Sequence, residues 1–150
     1  IRKERIRQIL RIYDNTRKRR QRLRKTAAKG IIMTGKTEWY IADGFMSDTE
    51  KGGLVSHEAV CVLNLSGETA HIEVTVYFED EEPLRGIFAE CGNERTNHIR
   101  LDKAVGEGGR TIPRNKPYAL AVKSDRPIIV QCSRLDVTQP EYSLMTTIAY

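Results

Sequence analysis

The most regular alternation of apolar and polar positions lies in LVSHEAVCVLNLSGETAHIEVTVYFED, residues 54 to 80. Ile72, Val74, Val76 and Phe78 interleave with Glu73, Thr75 and Tyr77, the two-residue period of a strand with one face in a core and the other in a polar setting. Ahead of it, Ala59, Val60, Cys61, Val62 and Leu63 are nearly all apolar, as in a strand covered on both faces. Between the two runs, Asn64 to Thr69 supplies turn residues, with Gly67 able to take a positive φ at no steric cost. The simplest expectation is an antiparallel hairpin.

Strand patterns continue on both sides. Glu38 to Ala42 is short and aromatic, and a loop follows to Gly53 that is placed to border a binding site. Charged residues Glu79 to Glu82 with Pro83 mark a turn, after which Arg85–Cys91 and Thr96–Leu101 read as strands. Residues 102 to 117, with Gly106, Gly108, Gly109, Pro113 and Pro117, read as an irregular connection. Those glycines lack the strand-to-helix setting and the Lys-Ser/Thr ending of a phosphate-binding loop. Tyr118, Leu120 and Val122 alternate, Pro127 opens an apolar run to Cys132, and Ser143–Tyr150 closes the chain as another strand. Seven or eight short strands with no helical pattern after residue 30 predict a mainly β protein, an antiparallel β-sandwich of jelly-roll type.

The first 30 residues differ in kind. Ile6, Ile9, Leu10 and Tyr13 share a helical face, and Gly30 is a reasonable stop, so a basic α-helical arm over 1–30 precedes a sandwich domain over 31–150. The arm holds 13 Lys and Arg against Glu4 and Asp14, a net +11; with +5 for the whole chain, residues 31–150 carry 5 − 11 = −6. Within it, Arg17, Lys18, Arg19, Arg20, Arg22, Arg24 and Lys25 are candidates for contact with DNA phosphates through counterion release. The competing expectation is an exposed helix in an oligomer, its arginines solvated or paired with the acidic body. The lack of interleaved aromatics argues against single-strand stacking.

Candidate chemistry is sparse. Neither a membrane span nor a secretory leader is read from the sequence, and a cytoplasmic location is expected. Cys61, Cys91 and Cys132 make an odd count, two of them in apolar runs, and are expected to be buried free thiols. His57, His71 and His98 show no ligand spacing and the cysteines form no CxxC pair, so neither a metal nor another cofactor is expected. Ser56, His57 and Glu58 are adjacent, and a strand sends neighbours to opposite faces, which prevents a triad; no enzymatic activity is expected. His57, Glu58, Arg95, His98 and Arg134 are candidates for a polar rim that takes a ligand or partner, against the plainer alternative of cross-strand ion pairs that fix register.

WYIADG (39–44), SHEAVCVLN (56–64), HIEVTVYFEDEEP (71–83), RTNHIRLD (95–102), PIIVQCSRLD (127–136) and TTIAY (146–150) together resemble the sensory rhodopsin transducer family, soluble partners of a cyanobacterial sensory rhodopsin and their wider relatives. The resemblance runs in unbroken order over 36–150. It implies a jelly-roll sandwich, a homotetramer, no known catalytic activity, and a signal-relay role with a membrane photoreceptor, DNA or a sugar-like small ligand as partner. Two departures stand out: residues 1–30 have no counterpart in the minimal family domain, and Cys132 stands where relatives often have a histidine. The expectation is a non-enzymatic regulatory protein in which an oligomeric sandwich binds a partner or ligand and the arm contacts DNA. A small polar, carbohydrate-like ligand at the 43–55 loop, or a membrane receptor, are the alternatives.

Overall fold

A computed structural model describes residues 35–150. The sequence-based readings of the 1–30 arm, including Arg17, Lys18, Arg19, Arg20, Arg22, Arg24 and Lys25, lie outside the described residues. The described chain is mainly β, as the alternation predicts. Its strands are β1 (Lys36–Gly44), β2 (Glu50–Lys51), β3 (Leu54–Val55), β4 (His57–Asn64), β5 (Ala70–Tyr77), β6 (Leu84–Cys91), β7 (Arg95–Arg100), β8 (Tyr118–Asp136) and β9 (Ser143–Ile148). The region between β7 and β8 is irregular, as expected, with two short 3-10 turns at Leu101–Lys103 and Glu107–Gly109.

Seven strands form one antiparallel sheet that curls around β8. This strand is 19 residues long, enough to serve two sets of neighbours. Its first half pairs with β5 and β1, so that Val122 faces both Val74 and Trp39. Its second half pairs with β4 and β9, so that Cys132 faces both Val60 and Thr147. Strand β6 extends the first group and β7 the second. Side chains from both halves, among them Ile41, Val74, Val76, Leu120 and Val122 with Val60, Val62, Ile128 and Val130, fill one shared core. Each such side chain, once removed from water, contributes about 1.5–3 kcal/mol.

The expected hairpin across 54–80 does not form. Strands β4 and β5 are not paired with one another; they lie end to end along β8, β4 against Leu135–Ile128 and β5 against Ser124–Ala119. The polar stretch between them is a jog. Fully buried Asn64 makes it work: its Nδ2 donates to the Cys91 carbonyl at 2.7 Å and to the Glu68 carbonyl at 2.8 Å, while its Oδ1 accepts the Ser66 N–H at 2.9 Å. One side chain thereby satisfies backbone groups that a hairpin ladder would otherwise pair. Nor is β4 covered on both faces: Ala59, Val60 and Val62 are buried, but Cys61 is half-buried and Leu63 exposed.

Strand β9 closes the second half and is exposed along its whole length, with Leu144 at 74% and Ile148 at 63%. Just beyond it the chain end returns to β1, where Tyr40 and Tyr150 exchange N–H···O bonds of 2.6 and 2.9 Å. That return brings β9 beside the end of β1 that carries Asp43.

Candidate functional site

Glu58 sits on the core-facing side of β4, 1% exposed. An isolated carboxylate there would be costly, so its partners decide what the site is. Tyr118 at the start of β8 donates its hydroxyl to Oε2 at 2.5 Å. From the far end of the same strand, Arg134 donates Nε to Oε1 at 2.5 Å, and the Phe45 backbone N–H reaches Oε1 at 3.2 Å. Both carboxylate oxygens are therefore occupied, in charge-assisted bonds that are stronger than neutral ones. Because β8 bends across both halves of the sheet, its two ends meet at one glutamate.

The electrostatics follow from that clamp. Burial, and then the nearby Glu58 charge, push the Tyr118 phenol far above its ordinary value, so it remains a donor. For Arg134 burial works against the charge, but the hydrogen bond and the charge of Glu58 outweigh it and the guanidinium is raised further. Arg134 also reaches out to Asp43 at 3.5 Å, a carboxylate whose side chain is 86% exposed. Gly44 is required beside it, because a Cβ there would lie 2.2 Å from the Tyr118 ring.

Above the clamp is a cavity of about 180 Å³, lined by Asp43, Glu58, Cys132, Arg134 and the β9 residues Met145, Thr146 and Thr147. Pockets for drug-sized ligands span about 300–1,000 Å³, and this cavity is smaller than those. Its lining residues include two carboxylates, one guanidinium and the neighbouring Thr146 and Thr147, whose side chains leave β9 on opposite faces. Burial, with Glu58 next, raises the Cys132 thiol to about 12, so it stays protonated at neutral pH and is not a nucleophile. The described residues contain no group of three His, Cys, Asp or Glu side chains able to hold a metal ion.

Of the five rim candidates, the structure joins only Glu58 and Arg134. His57 is the next residue along β4 and so points to the opposite side, its Nδ1 2.9 Å from the Val55 carbonyl. Arg95 pairs with Asn64 at the other end of β4, seven residues from His57 or roughly 23 Å along a strand, and turns back to the Glu94 carbonyl at 2.9 Å. His98 stands opposite Cys61 on the outer strand β7, exposed. The expected single rim is corrected to one buried pair plus three separate surface residues. His71, read as exposed, is so, and it forms a cross-strand contact to Asp125 at 2.9 Å.

Sequence reasoning missed Tyr118, Met145, Thr146 and Thr147, and included Asp43 only as the first residue of the 43–55 loop. Only Tyr118 left a signal, an aromatic residue with a polar tip opening an apolar alternation. The others are brought in by β9 and the end of β1.

The fold is a curled antiparallel β-sheet with a buried, ion-paired carboxylate beneath a small cavity. The sequence profile of the family described as Anabaena sensory rhodopsin transducer matches residues 34–150. Two solved structures are similar: the crystal structure of Thermotoga maritima 1070, at 42% identity over 79% of this chain and 96% of that chain with a TM-score of 0.70, and the Anabaena sensory rhodopsin transducer, at 33% identity over 67% of this chain and 98% of that chain with a TM-score of 0.60. No match was found among the curated proteins. The chain belongs to the sensory rhodopsin transducer family. Among the described residues, no helix is long and apolar enough to cross a membrane.

Proposed function

We propose that this protein is a non-enzymatic signal-relay module whose sandwich takes a small, neutral, hydroxyl-rich ligand in the Glu58–Arg134 cavity. The observation that carries the reading is the clamp itself: Glu58 has both oxygens bonded to Tyr118, Arg134 and Phe45, yet it lines an open cavity. The spare guanidinium hydrogens of Arg134, the Asp43 carboxylate and a threonine hydroxyl of β9 suit a neutral, sugar-like molecule. A thermal-shift screen of monosaccharides and polyols tests this. A ligand that prefers the folded state raises the midpoint, and Thr147→Val removes the shift. A panel without any shift ends the proposal.

Relay requires a partner, and homo-oligomerisation is part of the reading, with a tetramer as the expected state. It is supported by β9, an uncharged strand with exposed Leu144, Met145 and Ile148 on a body of formal charge −6, where like-charged copies meet at least cost. The second reading, transducer of a membrane photoreceptor, is favoured by the 33% identical neighbour named for that role. DNA contact through Arg17–Lys25 is supported by the charge of the run alone, and a cytoplasmic location is part of the same proposal. Fluorescence anisotropy at rising salt tests the DNA component. Equal binding after neutralisation of residues 17–25 removes it.

A further inference from the structure

A second cavity, of about 230 Å³, opens on the other side of Asp43. Its lining includes Tyr77, Phe78 and Tyr118 together with Asp43 and Glu79, and no Lys, Arg or His lines it. Tyr118 turns its hydroxyl inward to Glu58, so what it gives this cavity is ring surface. Aromatic faces combined with carboxylates and no resident cation form the environment that holds an ammonium group.

The neighbouring surface already does this. The Lys116 ammonium lies 5.8 Å from the centroid of the Phe78 ring, 2.7 Å from Asp80 and in contact with Glu81. The hydrogen bonds it donates to Asp80 and Glu81 raise its pKa, so it stays charged. Because two carboxylates neutralise it, Lys116 does not cancel the field of Asp43 and Glu79 next door. The only cation that reaches the cavity's own carboxylates among the described residues is Arg134, 3.5 Å from Asp43 and committed to Glu58 at closer range.

We propose that this cavity binds a primary alkylammonium group, carried on a free diamine or on a lysine side chain of a partner. The ammonium sits between Asp43 and Glu79, and its carbon chain lies against the Tyr77 and Phe78 rings. This site shares Asp43 with the hydroxyl-ligand cavity but opens on its other side, and it does not rest on that reading.

The test titrates the full chain with 1,5-diaminopentane and with Nα-acetyl-lysine amide, followed by amide NMR shifts, with 1-pentanol and acetate as controls. The proposal expects saturable shifts around Tyr77–Glu79 with at least one ammonium probe and none with the controls. It expects affinity about tenfold or more weaker in Glu79→Gln and Tyr77→Ser, the loss of one charge or ring contact, and unchanged in Thr147→Val. Binding of both probes fits a lysine side chain; binding of the diamine alone fits a free amine. Matching thermal midpoints show that the variants fold. Failure of both ammonium probes to saturate, or equal binding by wild type and Glu79→Gln, overturns the assignment.

Discussion

Arg134 and Glu58 occupy directly paired positions on β8 and β4, and the guanidinium Nε donates to the carboxylate Oε1 across that register at 2.5 Å. Removing one partner leaves a buried charge uncompensated, whereas removing both leaves an apolar gap. Arg134→Met is therefore expected to lower stability by about 3–5 kcal/mol, and Glu58→Met with Arg134→Met to recover most of that loss. Urea unfolding of both variants, read as a double-mutant comparison, measures it.

Tyr118→Phe deletes the other donor to Glu58 while keeping the ring. The loss of a hydrogen bond to a charged, buried acceptor is expected to cost about 1.5–3 kcal/mol by denaturant midpoint. The variant should also loosen the cavity, so ligand affinity falls along with stability.

Gly44→Ala attacks the same ring from outside. The added carbon would meet Tyr118 at 2.2 Å, so the ring or β1 must move. Overpacking of this kind costs about 1–3 kcal/mol. In a thermal melt, the variant is expected to unfold below wild type, and NMR shifts are expected at Glu58 and Arg134.

His71 and Asp125 give the fold a pH dependence. The hydrogen bond and the charge of Asp125 raise the His71 pKa above 6.5, so this contribution is full below 6.5 and fades as pH rises through the folded value. Hydrogen bonds from the His71 backbone and ring lower Asp125 below 3.8, so its contribution is present above 3.8 and is lost as pH falls through the folded value. The pair supports the fold most between those limits. Midpoints of wild type and His71→Ala against pH should differ most in that window and converge above it. A constant difference across pH 4–9 contradicts the assignment.

These residues also show what the sequence reveals and what it hides. Alternation exposed β5, because Ile72, Val74 and Val76 are buried while Tyr77 and His71 face out, and period-two burial is a local property. It did not reveal that β4 and β5 avoid each other. That depends on the length of β8, far away in sequence, and on Asn64, whose bond to the distant Cys91 carbonyl accompanies its local bonds to Ser66 and Glu68. The cavity was half legible for the same reason. Glu58 and Arg134 stood out as charges in strand patterns, but His57, Arg95 and His98 looked equivalent until the register separated them. Thr146 and Thr147 belong to the TTIAY string that carries the family resemblance, but nothing local points them to a cavity; they enter the site because β9 folds back along β8.

The most direct test of the binding account is an amide NMR titration of the full chain with a panel of neutral monosaccharides and polyols. A saturable response is expected from at least one, centred on Asp43, Arg134, Thr146 and Thr147 and abolished by Thr147→Val. No saturable response from any of them, or one centred away from β8 and β9, contradicts it.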